Sequence, residues 1–155
     1  MQDEHETLKA KQIKLAQTYA KMNPSEVTEV YWLYAIRQKG TYPKSTPRSG
    51  KWLIFVDRND LDAIWATIKQ ATEAGQLGGS AKVATAKSNP YATDPKTKVI
   101  CMYTYDWTDE ADVRRIRAEL RALGIIQKIP YKADADTLRD KYRVTGHWQI
   151  SKYYE

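Results

Sequence analysis

The chain has 155 residues, 42% of them hydrophobic and 28% charged, with a formal net charge of +6. That is enough apolar material for one domain with a real core. No apolar run approaches the roughly 20 residues of a bilayer span, and the charged start MQDEHETLKAK is unlike a secretory signal, so a soluble, cytoplasmic protein with no membrane partner is expected. The single cysteine, Cys101, excludes an internal disulfide, and the basic excess favours anionic partners.

In chain order, Asp3 to Met22 reads as a helix with Leu8, Ile13, Leu15 and Tyr19 in an imperfect stripe, ended by Asn23-Pro24. Residues 1–24 are therefore expected to form an N-terminal helical arm, and residues 25–155 a single domain. Glu29 to Arg37 is aromatic and β-branched enough for a first strand. The loop QKGTYPKSTPRSG, with its glycines and prolines, separates it from GKWLIFVD, Gly50 to Asp57. Strand alternation sends Trp52, Ile54 and Val56 to a core and Lys51, Leu53 and Phe55 to the other side.

A helix capped by Asp57 or Asn59 then carries Leu61, Ile64, Trp65 and Ile68 on one face, and Gly75 with Gly78-Gly79 ends it. A strand from Ser80 to Thr85 and a strand from Lys98 to Trp107 follow. Thr108 is the expected cap of a second helix, with Val113, Ile116, Leu120 and Leu123 inward, Gly124 as its stop, and Arg114, Arg115, Arg117 and Arg121 outward. Ile125 to Lys132 and His147 to Tyr154 complete the strands. The order of elements predicts an α+β fold, a curved and mostly antiparallel sheet backed by helices on one face, with a doubly wound parallel sheet as the alternative.

Charge is unevenly placed. Arg37, Lys39, Lys44, Arg48 and Lys51 meet no acid between them. They are either solvated loop charges or a phosphate-binding surface. Lys51 and Lys82 lead two strands and share an open sheet face if both strands lie in one sheet. Arg37 and Arg48 are the expected additional phosphate contacts. No nucleotide-binding glycine loop, zinc-ligand spacing or serine elbow occurs. Asp57, Asp60 and Asp62 read as helix-start residues, so neither a metal nor a cofactor is expected.

GKWLIFVDRNDLDAIW, GQLGGSAKVAT, KVICMYTYDWTDEADVRRIRAELRALG and IPYKADADT together resemble the basophilic-leukaemia-expressed protein family over about Tyr31 to Tyr142. The resemblance implies a fold similar to the cap-binding translation initiation factor 4E. It also implies a phosphothreonine lyase label, under which phosphate is eliminated from a phosphorylated protein or peptide. Lys51-Trp52-Leu53 and Lys82-Val83-Ala84 resemble the two strand motifs of such lyases. On that comparison Lys82 is the base and Lys51 the oxyanion or phosphate partner. Leu53 stands where those enzymes carry a histidine acid, which leaves Tyr103, Tyr105 or His147 as substitutes.

The same fold resemblance supports a second reading, a nucleotide- or RNA-binding module in which an aromatic ring stacks a base. Trp52 and Trp65 fall on core faces and Trp107 at a strand-helix junction, so Trp32 and Trp148 are the stacking candidates. A non-catalytic protein-interaction module is the third reading.

Overall fold

The alternation of β2 (Gly50–Asp57) sets the architecture. Trp52, Ile54 and Val56 are buried while Phe55 and Asp57 are exposed, as a strand with one covered face requires. The computed structural model describes residues 2–88, 96–136 and 151–155, with side chains from Ala10 onward. Within these, β1 (Trp32–Ile36), β2, β3 (Ser80–Ala84), β4 (Thr97–Thr104), β5 (Pro130–Ala133) and β6 (Tyr153–Tyr154) form one sheet. Its order is β1-β3-β4-β2-β5-β6 and every described pairing is antiparallel. The parallel alternative is excluded.

Helices α1 (Gln2–Thr18), α2 (Leu61–Glu73) and α3 (Glu110–Ala122) accompany the sheet. Leu61, Trp65, Ile68 and Ala71 of α2 and Val113, Ile116 and Leu120 of α3 are buried at helical spacing. Both stripes meet the same sheet face. Trp52 Nε1 donates to the Val113 carbonyl at 3.0 Å, and Thr72 Oγ1 lies 3.9 Å from Met102 Sδ. The resulting core joins Trp52, Ile54, Val83, Ile100 and Tyr131 to both helices, and each such large side chain contributes about 1.5–3 kcal/mol on burial. The opposite face carries no helix among the described elements α2 and α3.

Several local expectations shift. α1 stops at Thr18, ahead of the Asn23-Pro24 breaker, and Pro24 opens a short 3₁₀ helix instead. Asp109, not Thr108, caps α3 by accepting the Asp112 N–H. Asp60 holds the N-cap position of α2 without a side-chain bond, while Asp57 accepts the Asn59 N–H in the preceding turn. Ile125 to Ile129 is not strand. Gly124 at φ +103 lets the Ile125 N–H return to the Leu120 carbonyl, so the strand begins only at Pro130. Arg117, expected outward, is 2% exposed. Its guanidinium donates to the carbonyls of Ile125 and Gln127 in the turn after α3 and of Glu155, and the bond to Ile125 is buried. Of the last expected strand, Tyr153 and Tyr154 are paired, whereas His147 and Trp148 lie outside the described residues. No helix among the described residues is long and apolar enough to cross a membrane.

Candidate functional site

Strand register assembles the site. Lys82 lies opposite Tyr34 of β1 and Cys101 of β4, Cys101 lies opposite Leu53 of β2, and Tyr103 lies opposite Lys51. Because alternate residues share a side, Lys82, Tyr34, Cys101, Tyr103, Lys51 and Leu53 all occupy the face turned away from α2 and α3. Lys51 and Lys82 stand diagonally across β4. Both ammonium groups approach the Tyr103 ring, at 5.8 and 5.9 Å from its centroid.

The two lysines have different surroundings. Lys51 is 7% exposed, and its Nζ bonds Asp134 Oδ1 at 2.7 Å while Ser49 Oγ donates to Asp134 Oδ2 at the same distance. Lys82 Nζ lies 4.0 Å from the centroid of the Trp32 ring. At this distance the ring quadrupole attracts the ammonium, an interaction the neutral amine lacks. The two charges also act on one thiol. Burial pushes Cys101 up to about 11, against the opposing pull of Lys82 and then Lys51, so the cysteine is a protonated floor residue and not a nucleophile. Burial likewise raises the Tyr103 phenol, with smaller contributions from Cys101, Asp134 and Tyr34. It stays a neutral O–H donor.

The expected site residues thus separate into two groups. Lys51, Lys82 and Trp32 share one face. The guanidinium of Arg37 is occupied elsewhere, donating to the carbonyls of Leu77 at 2.7 Å, Gly78 at 3.2 Å, and Lys39 and Thr41 at 3.3 Å. It also lies 5.2 Å from the Tyr42 ring centroid. Arg48 directs Nε and Nη2 to Asp106, the closest contact being 2.7 Å. The Arg48 bond, followed by the Thr108 hydroxyl, holds the Asp106 carboxyl well below the usual carboxylate range. Tyr105 is bonded to Asp109, which pushes its phenol up to about 12. It belongs to the α3 cap and is not available as the acid. Trp52 and Trp65 are core residues at 0% and 3% exposure.

Asp134 is the residue that sequence reasoning missed. The only signal was its position just beyond a predicted strand. It meets Lys51 because β5 pairs with β2, with Lys132 opposite Lys51.

An open antiparallel sheet with both packed helices on one side and a lysine pair on the other defines an α+β protein of the initiation-factor-4E-like fold. Schistosome eIF4E complexed with m7GpppA and 4E-BP has a TM-score of 0.63 at 16% identity, over 90% of this chain and 78% of that one. Ascaris suum eIF4E-3 with m7G cap has 0.57 at 17%, over 89% and 76%. C. elegans eIF4E-3 with the 4E-binding protein Mextli and a cap analog has 0.56 at 18%, over 81% and 76%. At these identities the likeness establishes the fold alone. The family model of basophilic leukemia-expressed protein Bles03 matches residues 42–138, and the chain belongs to that family. It is also 30% identical over 95 residues to a Mycobacterium sp. (strain KMS) protein named "Putative phosphoserine aminotransferase". That match takes in 57% of this chain and spans only 25% of the mycobacterial protein's length.

Proposed function

We propose that the sheet face turned away from α2 and α3 is a phosphate-recognition surface, with Lys82 as the principal cation, Lys51 as the second, and a phosphorylated protein or peptide as the ligand. The observation that carries this reading is the diagonal placement of Lys82 and Lys51 around Tyr103 on one face. A doubly charged phosphate oxygen cluster matches two ammonium groups and a neutral phenol donor. A cytoplasmic setting fits such a ligand. Arg37 and Arg48 contribute only if they exchange their present carbonyl and carboxylate partners for phosphate, and Lys51 must likewise share its ammonium with Asp134.

Binding is favoured over turnover. Elimination asks Lys82 to act as an amine base, and as a neutral amine it would forfeit its cation–π contact with Trp32. Leu53 supplies no proton to a leaving phosphate. Phosphothreonine lyase chemistry with Lys82 as base and Lys51 as stabiliser is therefore expected to be slow.

A second reading, nucleotide binding with Trp32 as the stacking ring, draws support from the cap nucleotides held by the solved structures of like fold. The 4E-binding proteins in two of those complexes likewise suit a protein partner.

Calorimetric titration with inorganic phosphate, a phosphothreonine peptide and a guanine nucleotide tests the choice, with mass spectrometry of the peptide afterwards. Binding of the phosphopeptide that Lys82→Met abolishes, with the peptide mass unchanged, is the expected result. No binding of any phosphate compound sinks the proposal, and preference for the nucleotide over the phosphopeptide transfers it to the second reading.

A further inference from the structure

The sheet face turned away from α2 and α3 changes character from row to row. One row across the strands joins Tyr34, Lys82, Cys101 and Leu53, each opposite the next. The row beside it begins with Trp32 opposite Ala84 and ends with Val99 opposite Phe55. Its halves adjoin because Val83 and Ile100, the chain neighbours of Ala84 and Val99, are themselves partners. This second row carries no charge. Phe55 is 51% exposed in mid-strand, and Leu53, Ala84 and Val99 around it are half-buried, so contiguous apolar surface is left in water there. Along β2 the same side reads Lys51, Leu53, Phe55 and the exposed Asp57. A cation thus stands at one end, an acid at the other, and the apolar row between them. Coulomb forces draw a phosphate to the lysine end and repel it from Asp57, which gives the face a direction.

We infer that Phe55 and Val99 form a subsite for an apolar side chain of the phosphopeptide, two residues from the phosphorylated one. This rests on the phosphate reading above and adds the class of peptide selected, a phosphorylated residue separated by one position from an aliphatic or aromatic residue. Successive rows of the sheet are two residues apart along each strand, about 6.5–7 Å. Same-side residues of an extended peptide have the same spacing, so a peptide lying along the strands with its phosphate over the lysines sets its next same-side residue on the apolar row. Residues one or three positions away point off the sheet and gain nothing from it. Covering the Phe55 ring removes apolar surface from water, which favours binding without asking any charged group to change its partner.

The test is fluorescence anisotropy of the intact chain with phosphothreonine peptides in an alanine-serine background, in which a single leucine is moved from one to three residues away on either side. Leucine two residues away, on one side, is expected to bind about 3- to 10-fold tighter than the leucine-free peptide, and leucine one or three away within about 2-fold of it. Phe55→Ser should erase the preference and leave the leucine-free peptide unaffected, whereas Phe55→Leu should keep it. Phe55 is half exposed, so neither change opens the core. A wild-type protein indifferent to leucine at every position overturns the subsite, whatever the variants do, and leaves the phosphate reading standing. A preference that survives Phe55→Ser, or that is equal at adjacent positions, overturns it too. Equal binding of the unphosphorylated peptides, with a leucine preference that Phe55→Ser removes, keeps the apolar contact and defeats the phosphate reading.

Discussion

Lys51 Nζ and Asp134 Oδ1 lie 2.7 Å apart across 83 residues of sequence, with Lys51 almost wholly buried and Asp134 a third exposed in its side chain at 33%. The pair joins β2 to the chain just past β5 on the lysine face. Charges removed from water in this way are costly to separate, because deleting one leaves the other buried and unmatched.

Asp134→Ala is therefore expected to destabilise the fold by about 2 kcal/mol, and Lys51→Met combined with Asp134→Ala to be less destabilised than the sum of the single changes. Urea denaturation of the four proteins in the cycle gives the coupling. Strict additivity of the two single effects would show that the pair holds nothing together.

Lys82→Met should abolish phosphopeptide binding while leaving the urea midpoint within the range of a surface change, about 0.5 kcal/mol. With the wild-type protein, a phosphothreonine peptide should stay intact or lose phosphate only slowly, since general-acid assistance typically contributes about 10²–10⁴-fold and Leu53 cannot supply it. Mass spectrometry distinguishes a dehydrated residue from a hydrolysed one. Fast elimination that persists in Lys82→Met would dispose of the mechanism in which Lys82 is the base.

Gly50 begins β2 where a Cβ would stand 2.4 Å from the Tyr131 hydroxyl and 2.6 Å from Cζ of the same ring. Tyr131 cannot give way readily. It is fully buried, packs edge-on against Trp52 at 5.2 Å and Tyr153 at 5.4 Å, and shares a 2.6 Å hydrogen bond with Thr104. Gly50→Ala should cost about 1–3 kcal/mol through overpacking. A thermal midpoint equal to that of the wild type would mean that the ring moves freely.

Acid sensitivity should trace to Asp106. Its carboxyl is held below the ordinary range by Arg48 and Thr108, so the folded state binds its proton less readily than the unfolded chain. The stabilisation is complete above the ordinary aspartate value of about 3.9 and is lost as the pH falls from there through the depressed native value. Arg48→Gln should reduce stability at neutral pH and flatten the decline below pH about 4. Parallel acid-unfolding curves for the two proteins would remove Arg48 from this role.

Much of this was written into local pattern. The alternation of Lys51 to Val56 placed lysine and tryptophan on opposite faces, and the 3.6-residue stripes Leu61-Trp65-Ile68 and Val113-Ile116-Leu120 required both helices to cover an apolar surface. These are one-dimensional properties, because a side chain's face in a strand or helix depends only on its count from its neighbours. Which strands lie side by side is not such a property. The order β1-β3-β4-β2-β5-β6 brings Trp32 to Lys82 and Asp134 to Lys51 through pairings between strands that are distant in sequence. Arg117 makes the same point from the other direction. Its charge placed it with the outward arginines, although it stands four residues after Val113 and three before Leu120 on the buried stripe; what makes the position tolerable is three carbonyl acceptors delivered by the following turn and by Glu155, which no local pattern announces.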